Sequence, residues 1–530
     1  MTFNLKNSDY TGKTIVNQGG QLTVPNFYNG GQRSAIGASS TAAENLQLNG
    51  GTLVLSRDNM ATDHRVTIND TATIRVAQSN SALTLKGQVS GKGYMVKDGP
   101  GQLNFSYGGA NTFAGIIVKK GVVAQGTWNT TFGRSGGNMV LAGGEVHLID
   151  NNNSSTMPVL NHVVTVEEGT NNRILGTSRG KINGSFKGKG NLTMETRYVR
   201  CDVGANFAAF EGTLTAVGSQ FRLMTNVTDM SKTKLVLAAG AYVAHFQSGS
   251  GNAGTATTKI GSLSAPSNAA DAVLGGSGST YQIGFLNEDT QFYGLFQASS
   301  IVKVGTGKLT LRSAGHTSPI TVNGGTLELY NASNTAMTSG TITVGNGGTL
   351  SGNGLAGTVN VNKGGVLAAG ISSVTAGMLR MASLNLRQGA TVRCQLFRSG
   401  NSKFKVSGNI THANDTLLVV IPATRTLEVG DEIEVFPAGF TSAKGNVIVK
   451  CQVEEGQDSY EFDTSTLNTD GKLRVSAVTT GITSITLQNR SHDIYTTDGR
   501  LLHRADDDRE VQYSLPAGVY IIGGKKVIVK

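Results

Sequence analysis

The pentapeptide Asn-Gly-Gly-Thr-Leu begins at Asn323 and again at Asn346, 23 residues later. Two adjacent glycines are poor material for a helix or a strand centre. They suit a backbone corner, where φ > 0 or tight turning is required. The Thr-Leu-Glu-Leu that follows the first copy alternates like a strand, with Leu327 and Leu329 on one side and Glu328 on the other. The same phrase recurs as Gly19-Gly20-Gln21-Leu22, Gly50-Gly51-Thr52-Leu53, Gly143-Gly144-Glu145-Val146 and Gly364-Gly365-Val366-Leu367, with looser forms at Glu211-Gly212-Thr213-Leu214 and Gly240-Ala241-Tyr242-Val243. A hairpin signal has no reason to repeat over such a span, whereas a solenoid does.

The phrasing selects the kind of solenoid. Leucine-rich repeats need L-x-x-L-x-L and calcium-binding nonapeptide repeats need Gly-Gly-x-Gly-x-Asp, and neither pattern is written here. Coils of about 20–30 residues with short β-runs and Gly/Asn corners predict an all-β chain folded as a right-handed parallel β-helix, coil stacked on coil about 4.8 Å apart. Residues up to about 370, at about 23 per coil, predict about 16 coils and a rod on the order of 75 Å long. Glycine, at 71 of 530 residues, is about twice its usual share. The 38% hydrophobic content with strand-like runs throughout argues against disorder. The 6% aromatic content fits a narrow interior filled by Val, Ile, Leu and Ala rather than by rings.

Other features bound the function. Cys201, Cys394 and Cys451 are too few and too scattered for a disulfide scaffold or a zinc site, and read as buried or half-buried thiols. No run of 18 apolar residues is present to span a membrane as a helix. The chain opens directly in strand-like material with no signal peptide, so Met1 is expected to lie inside a longer natural chain. The net charge of +10 favours anionic partners, and Arg173, Arg179, Lys181, Lys187, Lys189, Arg197 and Arg200 form a dispersed basic strip. It reads first as a solvated face and second as a surface for acidic polymers; no nucleic-acid module accompanies it.

Acidic residues number 35 and are mostly isolated, whereas β-helix lyases and inverting glycosidases need clustered carboxylates. Asn468-Thr469-Asp470 reads as a turn, Asp506-Asp507-Asp508 as a solvated loop, and Glu167-Glu168 as a coil corner. His147, His162 and His245 read as satisfied surface or core residues rather than ligands. No Gly-x-Ser-x-Gly, His-Glu-x-x-His or phosphate-binding loop is present. The expectation is therefore no catalytic residue, no metal ligand and no cofactor.

Residues 87–126, GQVSGKGYMVKDGPGQLNFSYGGANTFAGIIVKKGVVAQG, resemble the autotransporter-associated β-strand repeat. Gly91, Gly93, Lys97, Gly99, Gly101, Leu103, Asn111, Thr112, Phe113 and Gly115 occupy its places. A second copy carries Lys303, Gly305, Gly307, Leu309 and Leu311, and departs from the pattern at the Asn-Thr-Tyr turn. A degenerate third copy begins at Phe186 and lacks the Lys-x-Gly-x-Gly half. Residues 341–396 resemble the run-out of such a helix, and the stretch after them resembles the segment that caps a passenger β-helix. The resemblance implies a parallel β-helix over 1–396, a capping β-segment over 397–480 and a small C-terminal β-sandwich domain over 481–530. It specifies architecture rather than activity.

The C-terminal stretch resembles the sorting domain of Bacteroidota surface and secreted proteins, which the type IX secretion system reads. The matching residues are Ile494-Tyr495, Asp498-Gly499-Arg500, Leu515-Pro516, Gly518, Tyr520, Lys525-Lys526-Val527 and the Val529-Lys530 end. The Pro-Asn-Pro-type opening is lacking. This resemblance implies an extracellular or outer-membrane-surface protein whose C-terminal domain meets secretion machinery. The function expected is an adhesin, glycan-binding or display rod whose partner is a polysaccharide or host surface glycan. The alternative is part of a polysaccharide-degrading enzyme, a lyase or glycoside hydrolase. Rings at coil corners can stack on sugars, so the candidate binding residues are Phe27, Tyr28, Tyr107, Trp128 and Tyr198, with Arg197 and Arg200 beside the last.

Overall fold

In a computed structural model of the chain, the residues described are 7–126, 131–150, 157–247, 253–331, 335–370, 376–454 and 457–479, with 481–482, 485–486, 493–503, 512–513, 515, 518–522 and 525–529 toward the C-terminus. The chain divides into two units, Met1–Ser318 and Pro319–Lys530.

The first unit is a parallel β-solenoid. One of its faces stacks nine strands in chain order, from Gln21–Val24, Thr52–Leu55, Ala72–Val76 and Tyr94–Asp98 through to Asn206–Phe210. Each pairs in parallel with the strand one coil later. A second ladder runs from Met60–Thr62 and Ala82–Leu85 through Gln102–Phe105 and Val122–Gln125 to Glu145–Leu148 and beyond. Strand alternation sends every second side chain inward, and parallel register then aligns equivalent residues. The result is a column formed by Leu22, Leu53, Ile74, position 97, Val118, Leu141 and Val166, all buried.

Aromatic rings occupy this interior, contrary to what their scarcity implied. Phe105 stacks on Phe113 at 5.9 Å between centroids, Phe186 on Phe207 at 5.0 Å and Phe292 on Phe296 at 4.8 Å. Phe186 and Phe207 lie on successive coils, whose spacing of about 4.8 Å is close to that of offset stacking, whereas the other two pairs form within a single coil, across a corner.

The second unit repeats the principle. Gly325–Leu329 and Gly348–Gly352 pair in parallel with Gly325 opposite Gly348, Thr326 opposite Thr349 and Leu327 opposite Leu350. The two Asn-Gly-Gly-Thr-Leu copies therefore lie directly over one another, one coil apart. Gly325 and Gly347 hold φ values of +60° and +79°, the left-handed region that the corner requires. Leu327 and Leu329 are fully buried. The ladder continues through Val366–Ala368, Thr391–Gln395 and Asp415–Val420 to Val447–Gln452, so parallel stacking extends into the stretch expected as a capping segment.

Antiparallel pairing follows. Lys472–Thr479 pairs with Glu432–Glu434 and with Ser459–Asp463. Asn468-Thr469-Asp470 lies in a single helical turn, Leu467–Asp470, closed by Gly471 at φ +72°. Farther on, Gly518–Ile522 pairs antiparallel with Lys525–Val529 and with Ile494–Thr496, over a small cluster of Ile494, Tyr520, Ile522 and Val527. A separate two-stranded sheet pairs Ile485–Thr486 antiparallel with Gln512–Tyr513.

Position 97 of the inward column is a lysine, and it is fully buried. Its Nζ donates to the carbonyls of Asp98 at 3.0 Å, Gly99 at 2.7 Å and Lys120 at 2.8 Å. Three ammonium donors thus meet three acceptors, two on its own corner and one on the next coil. Lys303 repeats the device, buried and donating to the carbonyls of Val304 at 2.7 Å and Gly305 at 3.4 Å. Desolvation pushes both amines down to about 8. Lys97→Met preserves the volume and leaves buried carbonyls without their donor. It is expected to cost about 1–3 kcal/mol, read as a lowered urea midpoint; an unchanged midpoint would refute the clamp.

Histidines also enter the core. His64 stacks on Phe27, His245 on Tyr281, and His162 and His316 lie at a tilt against Phe132 and Phe296. His316 Nδ1 accepts the Phe296 N–H at 3.0 Å, which requires an unprotonated nitrogen. Burial pushes His162 and His316 down to about 4 from the ordinary 6.5. The unfolded chain therefore takes up protons first as pH falls, and stability present above about 6.5 is lost progressively toward pH 4. The lysines act in a separate window. Between about 8 and 10.5 the unfolded amine holds its proton longer, so stability rises with pH there. Urea midpoints measured from pH 7 to 4.5 should fall, with a shallower fall in His162→Phe; a flat profile would contradict the buried neutral rings.

Candidate binding surface

The basic strip folds onto the outer faces of consecutive coils in the first unit. Register places Glu145 opposite Arg173, and Leu175 opposite Glu195. Arg173 Nε lies 3.5 Å from Glu145 Oε2 and 3.4 Å from Glu195 Oε2, and Glu195 Oε1 accepts from Arg197 Nε at 3.0 Å. His147 Nε2 lies 2.9 Å from Glu145 Oε2, so the chain of polar contacts crosses three coils. Glu145 and Glu195, acids that the coils bring near one another, are both engaged by Arg173.

A neighbouring ladder carries Arg179, Lys181 and Arg200. Arg179 stands opposite Arg200, and Lys181 opposite Asp202, which in turn faces Arg222. Arg200 donates to Asp202 Oδ1 at 3.1 Å and approaches Met157 Sδ at 3.8 Å. The Arg179 backbone N–H donates to Asp150 Oδ2 at 3.0 Å. Arg222 donates to Gln220 and lays its guanidinium 4.5 Å over the Phe246 ring. Lys187 is exposed on the strand Ser185–Gly188, in a different ladder, and Lys189 is exposed just beyond it. The strip is therefore not a continuous cationic track. Carboxylates interrupt it on alternate coils, which weakens its long-range field.

The candidate rings are scattered. Tyr198 projects from the corner between Asn191–Thr196 and Arg200–Val203 with 70% of its surface exposed. Arg197 and Arg200 flank it in sequence, but each guanidinium turns to its own acid, Glu195 or Asp202. Tyr28 is exposed and Tyr107 half-buried, on other coils. Phe27 is fully buried against His64 and belongs to the core, because an apolar ring gains more inside than at a wet corner. Trp128 and Pro516 lie outside the described residues. Among the sorting-type residues, Thr496 and Arg500 close a turn across Asp498 and Gly499, the last at φ +85°. Tyr520 is buried, Gly518 opens its strand, Lys525 begins the next strand, and Lys526 is exposed.

Among the described residues no group of three or more His, Cys, Asp or Glu is placed to hold a metal ion, and no helix is long and apolar enough to cross a membrane. Sequence reasoning missed Lys97 and Lys303 as interior residues. The signal was their spacing before Gly-x-Gly, which marks a corner whose carbonyls need donors.

Two segments, residues 95–124 and 301–329, match the passenger-associated-transport-repeat family, and both contain a buried clamp lysine. The chain is also 44% identical over 117 residues to an adhesin autotransporter, BmaC, of Brucella suis biovar 1 (strain 1330). That alignment covers 21% of this chain and 3% of the relative, so the chain spans only a small part of the relative's length. The chain thus carries autotransporter passenger-type repeats folded as a parallel β-solenoid.

The pairing of the strip yields a direct expectation. Glu195→Gln releases Arg173 and Arg197 from a shared partner, so retention on a sulfated matrix should increase and the increase should vanish as salt rises. Retention equal to that of the unaltered protein would show that Glu195 does not mask the strip.

Proposed function

We propose that the chain is a segment of a cell-surface or extracellular adhesin whose β-solenoid presents corner residues to a polysaccharide or host surface glycan. The observation that carries this reading is the 44% identity to an adhesin autotransporter, on a chain with two passenger-type repeats. Tyr198 supports it as the most exposed large hydrophobic side chain among the described residues, set between two arginines in sequence. Its ring can stack on a pyranose face while water remains on the other side. We further propose that the C-terminal residues 481–530 act as a sorting-type domain of the Bacteroidota kind, read by type IX secretion machinery where the producing cell has it.

Two measurements test these readings. Cells displaying the chain should adhere to glycan-coated or host-cell surfaces, and Tyr198→Ala should reduce adhesion several-fold with no change in melting temperature. Adhesion equal to that of bare cells would refute the adhesin reading. Deleting residues 482–530 should leave the protein behind the outer membrane, and undiminished surface display would refute the sorting role.

A further inference from the structure

Charge is distributed unevenly along the chain. Residues 329–427 hold eight Lys and Arg but a single acid, Asp415, so this stretch supplies +7 of the net +10. Asp415 is fully buried, with its carboxylate 3.0 Å from His412 Nδ1, and offers no charge to the surface. These coils therefore differ from the basic strip of the first unit, where Glu195 and Asp202 hold the arginines beside them.

One corner of the second unit draws part of this charge into a row. Successive coils turn there from one ladder into the next at residues 345–347, 362–365, 387–390, 412–414 and 445–446. Backbone ties the corners together. The Gly347 N–H donates to the Gly364 carbonyl at 3.1 Å, Gly364 to Gly389 at 2.9 Å and Asn414 to Asn446 at 2.9 Å. A Cβ on Gly364 would collide with Asn346 Oδ1, and one on Gly389 would stand 3.0 Å from Lys363 Cγ. The stack leaves no room for side chains at those two positions. It presents instead Asn346, Asn362, Lys363, Arg387, Gln388 and Asn414, all exposed. Lys444 is exposed at the same edge, two coils beyond Asn385 in a register that runs through Thr411.

This row is unmasked. Among the described residues no hydrogen bond or ion pair engages the side chains of Lys363, Arg387 or Lys444. At the far end Asn468 Nδ2 donates to the Gly445 carbonyl at 3.2 Å, and the acid near it, Asp470, is taken by Arg474 at 2.7 Å. Lys363 and Arg387 stand one coil apart, about 4.8 Å, and Lys444 two coils farther, about 10 Å. A single sugar or phosphate cannot meet all three, whereas a linear polymer lying along the stack can. The first two lie within a Debye length of about 8 Å, so their fields add.

The chemistry of the corner selects the polymer. It carries no exposed ring, and channels for single-stranded nucleic acid depend on rings that stack the bases. It carries no exposed large aliphatic side chain to enter a lipid interface. What lies between the cations is amide, which both donates to and accepts from hydroxyl groups. We propose that this corner binds a linear anionic polysaccharide, its sulfate or carboxylate groups on Lys363, Arg387 and Lys444 and its hydroxyls on the intervening amides. The surface is separate from the Tyr198 corner of the first unit, and it stands whether or not the chain acts as an adhesin.

The test uses the full chain in titration calorimetry. The probes are a chondroitin sulfate decasaccharide, a hyaluronan decasaccharide, neutral maltodecaose, an oligothymidylate of matching length and phosphatidylglycerol vesicles. At least one acidic decasaccharide should bind ten-fold or more tightly than maltodecaose, with affinity falling as salt rises. Equal binding of the two acidic probes assigns the carboxylate as sufficient, and preference for chondroitin sulfate assigns the sulfate. Lys363→Gln combined with Arg387→Gln should weaken binding ten-fold or more with the melting temperature unchanged. Arg398→Gln combined with Lys405→Gln removes the same charge from exposed positions outside the corner, and should weaken it less than three-fold. If the first pair fails to fold, Arg387→Gln compared with Lys405→Gln decides. Tyr198→Ala should leave this binding intact, so loss of cell adhesion in that variant with oligosaccharide binding retained separates the two surfaces. Binding of neither acidic decasaccharide, equal binding of maltodecaose, tighter binding of the oligothymidylate or the vesicles, or equal losses in the two double variants would each overturn the proposal.

Discussion

In-register parallel stacking of one coil on the next is the constraint on which the rest of the molecule depends. A coil cannot bury its own apolar residues. It presents a row of inward side chains and a row of unpaired N–H and C=O groups, and both are satisfied only by a neighbour in the same register. A slip of one residue would turn an entire column, such as Leu22, Leu53, Ile74 and Val118, out to water. Corners must therefore fall at the same place in each coil. Glycines with φ near +70° recur where a strand ends and the next begins, as at Gly19, Gly325, Gly347 and Gly364. Asparagines reinforce them sideways. Asn49 donates to Asn17 at 3.1 Å and Asn69 to Asn49 at 2.8 Å, a ladder that also fixes register.

Polar groups placed inside a stack carry a larger penalty than the same groups outside, and several of them pair with backbone groups at corners. Lys97 occupies a column position that a Leu or Val would fill with less desolvation. What it adds is three donors at a corner whose carbonyls point away from the ladder. His245 works similarly. Thr258 donates its hydroxyl proton to the Val227 carbonyl, so the ring Nε2, 2.9 Å away, must be the donor to Thr258. That order links neighbouring coils through a neutral imidazole. Elsewhere His412 Nδ1 lies 3.0 Å from the Asp415 carboxylate with both side chains buried.

Much of the fold was legible because its determinants are local. A Gly-Gly corner constrains φ by itself, and alternation in Thr-Leu-Glu-Leu assigns Leu327 and Leu329 to the interior without knowledge of any neighbour. Corners are different. There the two-residue alternation lapses, and nothing nearby in sequence distinguishes Phe27, which turns in to His64, from Tyr198, which stays in water. Ring stacking also depends on which residue lies one coil away, at separations of 20 to 40 positions that vary from coil to coil. That is why scarcity of aromatics suggested a ring-poor bore when the rings in fact concentrate inside it. The basic strip illustrates the same limit for charge. Its arginines were visible, but Arg173 meets Glu145 and Glu195 only after folding.

The outward columns are where such a scaffold is free to vary. Inward positions answer to register and volume, and corners answer to φ, but an outward residue between two others on its face needs only to tolerate water. Length differences along one outward column then become relief on the surface, since the backbone beneath is regular. Along one ladder, Glu328 pairs with Ser351 and Ala368 with Arg393, so side-chain length changes from coil to coil over a regular backbone. Relief of this kind requires no change in the coils that bear it. This separates the part of the chain that specifies the solenoid from the part that can specify a partner, and it places recognition in residues that the repeat pattern leaves unassigned.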